Sequence, residues 1–529
     1  MAFENSVDTD VLVIGGGMAG AWAALGAVRS GARVTLVDKG YCGTSGVTAT
    51  AGPGHWWVPP AEREQAVRQR AANSGGLAEG PWMRRIIETT WEHLPTLARH
   101  YRFPVDAQGR TIFRALRGPE YMKALRAMLN ETGVTVLDHH PALELLRDEQ
   151  GRVAGAAGLR KADQQPWQIR AGAVVLASGG CAFLSKLLGA DNNTGDGLLM
   201  AAELGAEMSG MEFSCFYTVA PACSSMTRAM SYVFARYFDA QGRELDIPAG
   251  AGTMPALALA LQRGPVSCSL DRMPQDLREA LPTISPNVML PFTRHGIDPF
   301  RDRFEIALRG EGTVRGIGGL RVADEACQTT VPGLFVAGDA ASRERVAGAV
   351  SGGGNINSAW ALSSGLWAGA GAAGHALAHG PARGPLQGAG ELALRALQPA
   401  RRAAPDDADL QRIVRELQTP MLDPVQTLFR QASELARASA LLEDHWHELQ
   451  QRAPAEGRLR LKARQTAAMV ASARWIALAA QTRHESRGMH QRSDAPHTDP
   501  AQNHRLSVGG LQRLWIRPES VVPTMRAAA

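Results

Sequence analysis

The stretch DVLVIGGGMAGAWAALGAVRSGARVTLVDKG, Asp10 to Gly40, constrains the chain more than any other. Val11 to Ile14 is an apolar run of the kind that forms a buried parallel strand. It breaks into Gly15-Gly16-Gly17-Met18-Ala19-Gly20, which fits G-x-G-x-x-G. An alanine-rich helical stretch follows, then a second apolar strand, Val34 to Val37, ending in Asp38. Gly15 permits the tight turn, Gly17 lets backbone amides approach a pyrophosphate, and Gly20 lets the helix pack close to the strand. Met18 and Ala19 open that helix, whose N-terminus stabilises phosphate charge. Asp38 can accept hydrogen bonds from ribose hydroxyls. Strand, turn, helix, strand and acid in this order predict a dinucleotide site, without separating one dinucleotide from another.

The rest of the composition narrows the class. With 529 residues, 45% hydrophobic and 20% charged, the chain has globular composition and room for two or three domains. Its formal charge of +5 is spread without a Lys/Arg run, and aromatic content is 6%, so a nucleic-acid arm or stacking platform is not expected. Six cysteines without a CxxC pair argue against a disulfide framework and against an iron–sulfur cluster held by this chain alone. No metal site is expected: His484-Glu485 and His490 have HExxxxH rather than HExxH spacing, and His445 and His447 point apart on a helix. His139-His140 reads as structural. The N-terminus lacks a signal-peptide pattern, and no run reaches the roughly 20 apolar residues of a membrane span. A cytoplasmic protein without direct membrane insertion is expected.

Three later segments identify the dinucleotide. In IRAGAVVLASGGCAF an apolar strand ends in Ala177-Ser178-Gly179-Gly180. In NNTGDGLLMAAELGAEMSGMEF, Thr194-Gly195-Asp196-Gly197 opens a helix. In TTVPGLFVAGDAAS a strand runs into Gly338-Asp339, followed by the glycine loop GAVSGGGNINS and another helix. With MKALRAMLNETGVTVLDHHPALELLRDEQGRVAGA and the late RHESRGMHQRSDAP, the chain resembles the FAD flavoproteins of the superfamily containing fumarate reductase, succinate dehydrogenase, L-aspartate oxidase and the flavin subunit of adenylylsulfate reductase. The resemblance covers most of the chain. It implies an α/β fold: a Rossmann-like FAD-binding domain of the glutathione-reductase type, interrupted by an α+β capping domain and followed by a C-terminal helical domain. The corresponding boundaries are 1–215 with 312–378, then 216–311, then 391–529 for the helical domain and tail.

Carried over residue by residue, the resemblance implies that Gly15, Gly17 and Gly20 face the pyrophosphate and Asp38 the ribose. Lys39, Ser45 and Gly46 would line the path toward the flavin, with Ala177, Ser178 and Gly179 in the second glycine loop. Asp196 would lie near the ribityl chain or ring, and Gly338 and Asp339 at the ribityl chain. Asn355, Asn357 and Ser358, at a helix start, would lie at the N1/O2 edge of the isoalloxazine, where the helix N-terminus favours negative charge on reduced flavin.

The chain also departs from the family pattern. Members with covalent FAD carry a His after the serine at the position of Ser45; here Gly46 follows, which implies non-covalent FAD. A substrate-binding His normally precedes the Gly-Gly pair; here the nearest equivalent is Arg315, either an anion contact over the flavin or a salt-bridging arginine. The late loop normally carries an Arg; here Ser351 or a glycine takes that place, with Arg343 and Arg345 upstream. Glu212 is not followed by His-Pro. These departures argue against succinate, fumarate or L-aspartate as substrate. Arg315, His55 and Tyr217 are the catalytic candidates. Trp56, Trp57, Arg228, Arg236, Arg345 and Ser351 are the substrate-binding candidates, the two tryptophans alternatively packing under the next helix. Cys215 and Cys223 are expected to flank the cavity as packing residues, and Glu485 and Arg487 to form a structural ion pair.

The expected function is an FAD-dependent oxidoreductase passing hydride or electrons between a small, anionic substrate and the flavin. One alternative is an adenylylsulfate-reductase-like flavin subunit exchanging electrons with a separate, ferredoxin-like iron–sulfur protein; a second is a catalytically degenerate flavin-binding assembly protein. An oligomer is compatible with either.

Overall fold

The computed structural model describes residues 6–520, apart from 107, 114–115, 215, 226–229, 285 and 396–399. Five parallel strands form the centre of its largest sheet, in the spatial order Thr135–Leu137, Val34–Val37, Ser6–Ile14, Pro166–Leu176, Leu334–Val336. The apolar runs of residues 11–14, 34–37, 174–176 and 334–336 are buried, the usual condition of parallel strands. The first half of the long strand Pro166–Leu176 also pairs antiparallel with Val153–Leu159, which pairs in turn with Ala142–Arg147.

The registers place Leu137, Val37, Ile14, Leu176 and Val336 in one row across the five strands. Every loop that follows this row leaves the sheet at the same edge. In open α/β sheets this carboxyl edge is where ligands bind.

Two helices pack against the central strands, Met18–Arg29 and Gly353–His379. Their contact is backbone-close. A Cβ on Gly369 would lie 2.0 Å from the Ala23 carbonyl oxygen, and one on Gly365 would lie 2.5 Å from that of Ala19. The small-residue run of the second helix is therefore a packing device.

Residues between the two parts of this unit form a five-stranded antiparallel sheet, in the order Glu244–Leu245, Arg236–Phe238, Ser267–Ser269, Phe304–Gly310, Tyr217–Pro221. Helices Thr253–Arg263, Gln275–Ile284 and Pro286–His295 accompany it. It has its own core, including Val219, Leu257, Phe292, Phe304 and Ile306. This unit is the cap.

Helices Asp407–Leu422, Ala432–Gln451 and Gly457–Thr482 follow, the first opened by a reciprocal Asp406/Asp409 capping box. Beyond them the described residues hold one short 3-10 helix, Pro500–Gln502, and two strands. Strands His504–Gly509 and Trp515–Ser520 form a hairpin that pairs with Met208–Ser209. Pairing with a two-residue strand almost 300 positions earlier leaves no local periodicity to read. Among the described residues no helix is long and apolar enough to cross a membrane.

Candidate functional site

The loops after the row of strand ends converge on one cavity of about 1360 Å³, larger than the ~300–1,000 Å³ of common small-molecule pockets. Its floor is the carboxyl edge of the sheet and its roof is the cap. Gly15, Gly17, Met18 and Ala19 line it from the first turn, and Asp38, Lys39, Ser45 and Gly46 from the second. Ala177, Ser178, Gly179 and Asp196 come from the third, and Gly338, Asp339, Asn355, Asn357 and Ser358 from the last. Gly20 does not line it. A Cβ there would lie 1.7 Å from the Gly15 carbonyl oxygen, so its role is the close packing of helix on turn.

The acids on the floor also shape the loops. Asp38 accepts hydrogen bonds from the Gly16 amide, from the Gly40 amide at 2.6 Å and from Ser45 Oγ at 2.6 Å. Lys39 Nζ lies 2.8 Å from Asp196 Oδ2, whose Oδ1 accepts from Thr194 Oγ1 at 2.6 Å. Asp339 is joined to the buried guanidinium of Arg343, which also donates to the Thr313 and Val314 carbonyls at 3.0 Å. Burial lowers the Arg343 pKa, with the Asp339 carboxylate opposing that shift.

Three lining residues carry buried polar atoms without a hydrogen-bond partner among the described residues: Ser178 Oγ, both amide atoms of Asn357, and His55 Nδ1. Each such atom costs about 1–3 kcal/mol if left unmatched. A long polar ligand along the floor would relieve that cost, and the glycine turns leave it backbone room. The residues present therefore fit FAD.

His55 is 2% exposed and its imidazole is pulled down to about 3 by burial, so it is neutral near pH 7. Its tautomer follows from its neighbours. Trp22 Nε1, a donor only, gives its hydrogen to Tyr121 Oη at 3.0 Å. The tyrosine hydrogen is then directed to His55 Nε2 at 3.3 Å, leaving the ring hydrogen on Nδ1. His55 therefore faces the cavity as a neutral imidazole with its Nδ1 hydrogen unmatched among the described residues.

Several other candidates lie elsewhere. Tyr217 does not line the cavity; its hydroxyl is 2.7 Å from Thr427 Oγ1. Alternation along the strand gives the cavity to Thr218 instead. Arg236 is off the cavity, paired with Asp271 and with Glu244 at 3.1 Å. Arg345 lies over the Trp82 ring and 3.7 Å from Glu79. Ser351 accepts a hydrogen bond from the Gly353 amide at 3.4 Å and is not a lining residue. Arg228 and Cys215 fall outside the described residues, and Cys223 is exposed.

Arg315 does line the cavity, 3.4 Å from Glu311 Oε1 and over the Phe216 ring. It has the salt bridge of one sequence reading, and its lining position is compatible with the other, an anion contact over the flavin. Trp56 and Trp57 are half-buried lining residues, and Trp57 also stacks on Trp91 and Phe113 at 4.3 and 4.1 Å. Sequence reasoning missed His139 and His140, which line the cavity directly beyond the row of strand ends. Their position after an apolar strand was the available signal.

The late HESRGMH segment is a buried ion network. Arg483 Nε donates to Glu212 at 2.7 Å, and Glu485 accepts from Arg483 at 2.9 Å and from Arg487 at 2.6 Å. His490 accepts from Arg430 and donates through Nε2 to the Arg483 carbonyl at 2.9 Å. Both its nitrogens are thereby engaged.

A nucleotide edge beneath a cap, with glycine turns and unmatched polar atoms along it, is the architecture of a flavoprotein. The FAD binding domain family matches residues 10–224, and the fumarate reductase flavoprotein C-terminal family matches residues 414–514. L-aspartate oxidase of Mycobacterium leprae is 29% identical over 538 residues, 93% of each chain. That of Streptomyces coelicolor is 28% identical over 391 residues, so the match spans 64% of each chain. The fold superposes on E. coli quinol fumarate reductase FrdA with a TM-score of 0.80 at 18% identity, covering 99% of both chains. It superposes on adenylylsulfate reductase of Archaeoglobus fulgidus with 0.78 at 17% identity, covering 99% of this chain and 97% of that one. These matches make the chain an FAD-dependent oxidoreductase similar to fumarate reductase and L-aspartate oxidase.

Proposed function

We propose that the protein binds FAD non-covalently along the carboxyl edge of the sheet and oxidises or reduces a small anionic substrate held between the flavin and the cap. The observation that carries this reading is the single cavity that joins the four cofactor loops to the cap. The glycine amides of residues 15–17 and the first turn of Met18–Arg29 would hold the pyrophosphate. Asp38 would hold the ribose, and Asp339 the ribityl chain. Asn357 would supply both a donor and an acceptor to the ring. Gly46 leaves no side chain for a covalent tether. When bound, the flavin supplies two-electron chemistry; the protein binds, orients and excludes water.

On the cap side, Arg315 is the cationic side chain that would face an anion, and His55 Nδ1–H would donate a hydrogen bond without changing protonation. A four-carbon dicarboxylate needs a counter-group at each end. Among the described residues Arg315 is the one arginine lining the cavity, which supports a substrate other than succinate, fumarate or L-aspartate. For the onward electrons, the Ser45-Gly46 pair, which resembles the adenylylsulfate reductase branch, supports a separate iron–sulfur protein. We place the protein in the cytoplasm, as a soluble enzyme.

Anaerobic mixing of the holoenzyme with substrate classes, read as bleaching of the flavin band, tests the activity. Reduction by a monoanionic compound supports the reading. Reduction by L-aspartate or succinate at comparable rate contradicts it, and rapid reoxidation by air with peroxide release would replace the iron–sulfur partner with dioxygen.

A further inference from the structure

The roof of the cavity is apolar. Six described cap residues other than Thr218 line it: Val233, Phe234, Met273, Leu277, Leu281 and Val288. Leu277 and Leu281 stand four residues apart on Gln275–Ile284 and so share one helix face. Met273, just before that helix, and Val288, just after it, are each 4% exposed. Leu277 and Val233 are instead 40% and 79% exposed, large apolar side chains left open where they meet the cavity. Trp56 and the buried Leu116 oppose them from the other wall. Arg236, a cap arginine that the sequence offered for an anion, is turned away onto two carboxylates.

Such a wall gives a small, fully hydrated dicarboxylate nothing to bind and strips water from it. It rewards an apolar body, while Arg315 beside it takes one anionic group. We infer that the substrate is an amphipathic monoanion: a single carboxylate or equivalent acceptor group at Arg315, and an aryl or branched alkyl body against the Leu277–Leu281 face. This rests on the proposed flavin site, and it adds what kind of molecule the cap selects.

The test is titration of the FAD-loaded enzyme with 3-phenylpropionate and, separately, succinate at matched ionic strength, reading the perturbation of the flavin spectrum. The expected result is saturable binding of 3-phenylpropionate with a Kd about 10-fold or more below that of succinate, the scale on which apolar pockets discriminate. Leu281→Asp raises that Kd about 10-fold while Leu281→Met leaves it within about 3-fold, because only the first places a charge on the wall. Arg315→Gln weakens 3-phenylpropionate by a similar factor of about 10. Retained spectra in each variant show that flavin is still bound. Succinate binding as tightly as 3-phenylpropionate, no saturable change with 3-phenylpropionate, or insensitivity to Leu281→Asp overturns the inference alone. A protein that neither carries nor takes up FAD overturns the underlying flavin reading as well, and flavin content separates the two cases.

Discussion

The floor and the roof of the cavity are built from opposite materials. The floor is glycine turns and short polar side chains at the ends of parallel strands, several with hydrogen-bonding atoms left unmatched. The roof is leucine, methionine, valine and phenylalanine on a separate antiparallel unit with its own core. A shared cofactor demands the same backbone cradle in every relative, so the floor is constrained by geometry. The roof is constrained only by what it must cover. On the proposed reading, this difference puts cofactor affinity in one half of the cavity and substrate choice in the other.

The largest effect should come from the floor. Gly20→Val drives side-chain atoms into the Gly15 carbonyl, 1.7 Å from where a Cβ would sit. It should reduce FAD content of the purified protein to about a tenth or less, the turn and helix no longer meeting. Retention of full flavin content would show that the close approach is not needed for binding.

The two arginines of the site offer a direct contrast. Arg343 is buried with Asp339, whereas Arg315 is partly exposed and 3.4 Å from its acid. Arg343→Met should destabilise the fold by about 3–5 kcal/mol in chemical denaturation, because it removes a buried guanidinium that pairs with Asp339 and donates to the Thr313 and Val314 carbonyls. Arg315→Gln keeps an amide donor for the buried Glu311 and should cost less than Arg343→Met, while still weakening anion binding. Equal costs would erase the distinction between structural floor and selective roof.

A smaller effect is expected beneath the floor. Tyr121→Phe removes the hydroxyl that joins Trp22 to His55, leaving two buried groups unmatched, at a cost of about 1–3 kcal/mol. Because the His55 imidazole is pulled down to about 3, flavin reduction by substrate should show no His55 inflection between about pH 5 and 8. An inflection there that disappears in His55→Gln would make His55 a proton carrier after all.

The smallest effect lies outside the cavity. Burial, with Glu212 nearby, raises the Glu344 carboxyl well above the ordinary range. The folded state therefore holds a proton that the unfolded chain releases at lower pH. Its contribution to stability is complete in acid and is lost as pH rises through the folded value. Glu344→Gln should flatten the decline in stability from weakly acidic to weakly alkaline pH, measured by denaturation at each pH. An unchanged slope would remove Glu344 from the account.

What the sequence discloses follows the same division. The floor was legible because each turn is local: a strand, a glycine group and an acid fall within a few residues, and the residues named from them line the cavity, Gly20 excepted. The roof was not. Tyr217 and Thr218 differ by one residue in a strand, and only tertiary packing decides which faces the cavity. Arg236 and Arg345 carry the right charge for an anion site, but their partners Asp271 and Glu79 lie far along the chain. The closing hairpin was hidden for the same reason, its partner strand lying almost 300 residues away.

The central claim is that FAD sits on this floor without a covalent bond. Acid precipitation of the purified holoenzyme tests it most directly. The account predicts that the flavin leaves with the supernatant as intact FAD, about one per chain, and that the pellet is colourless. Yellow colour retained by the washed pellet would contradict it.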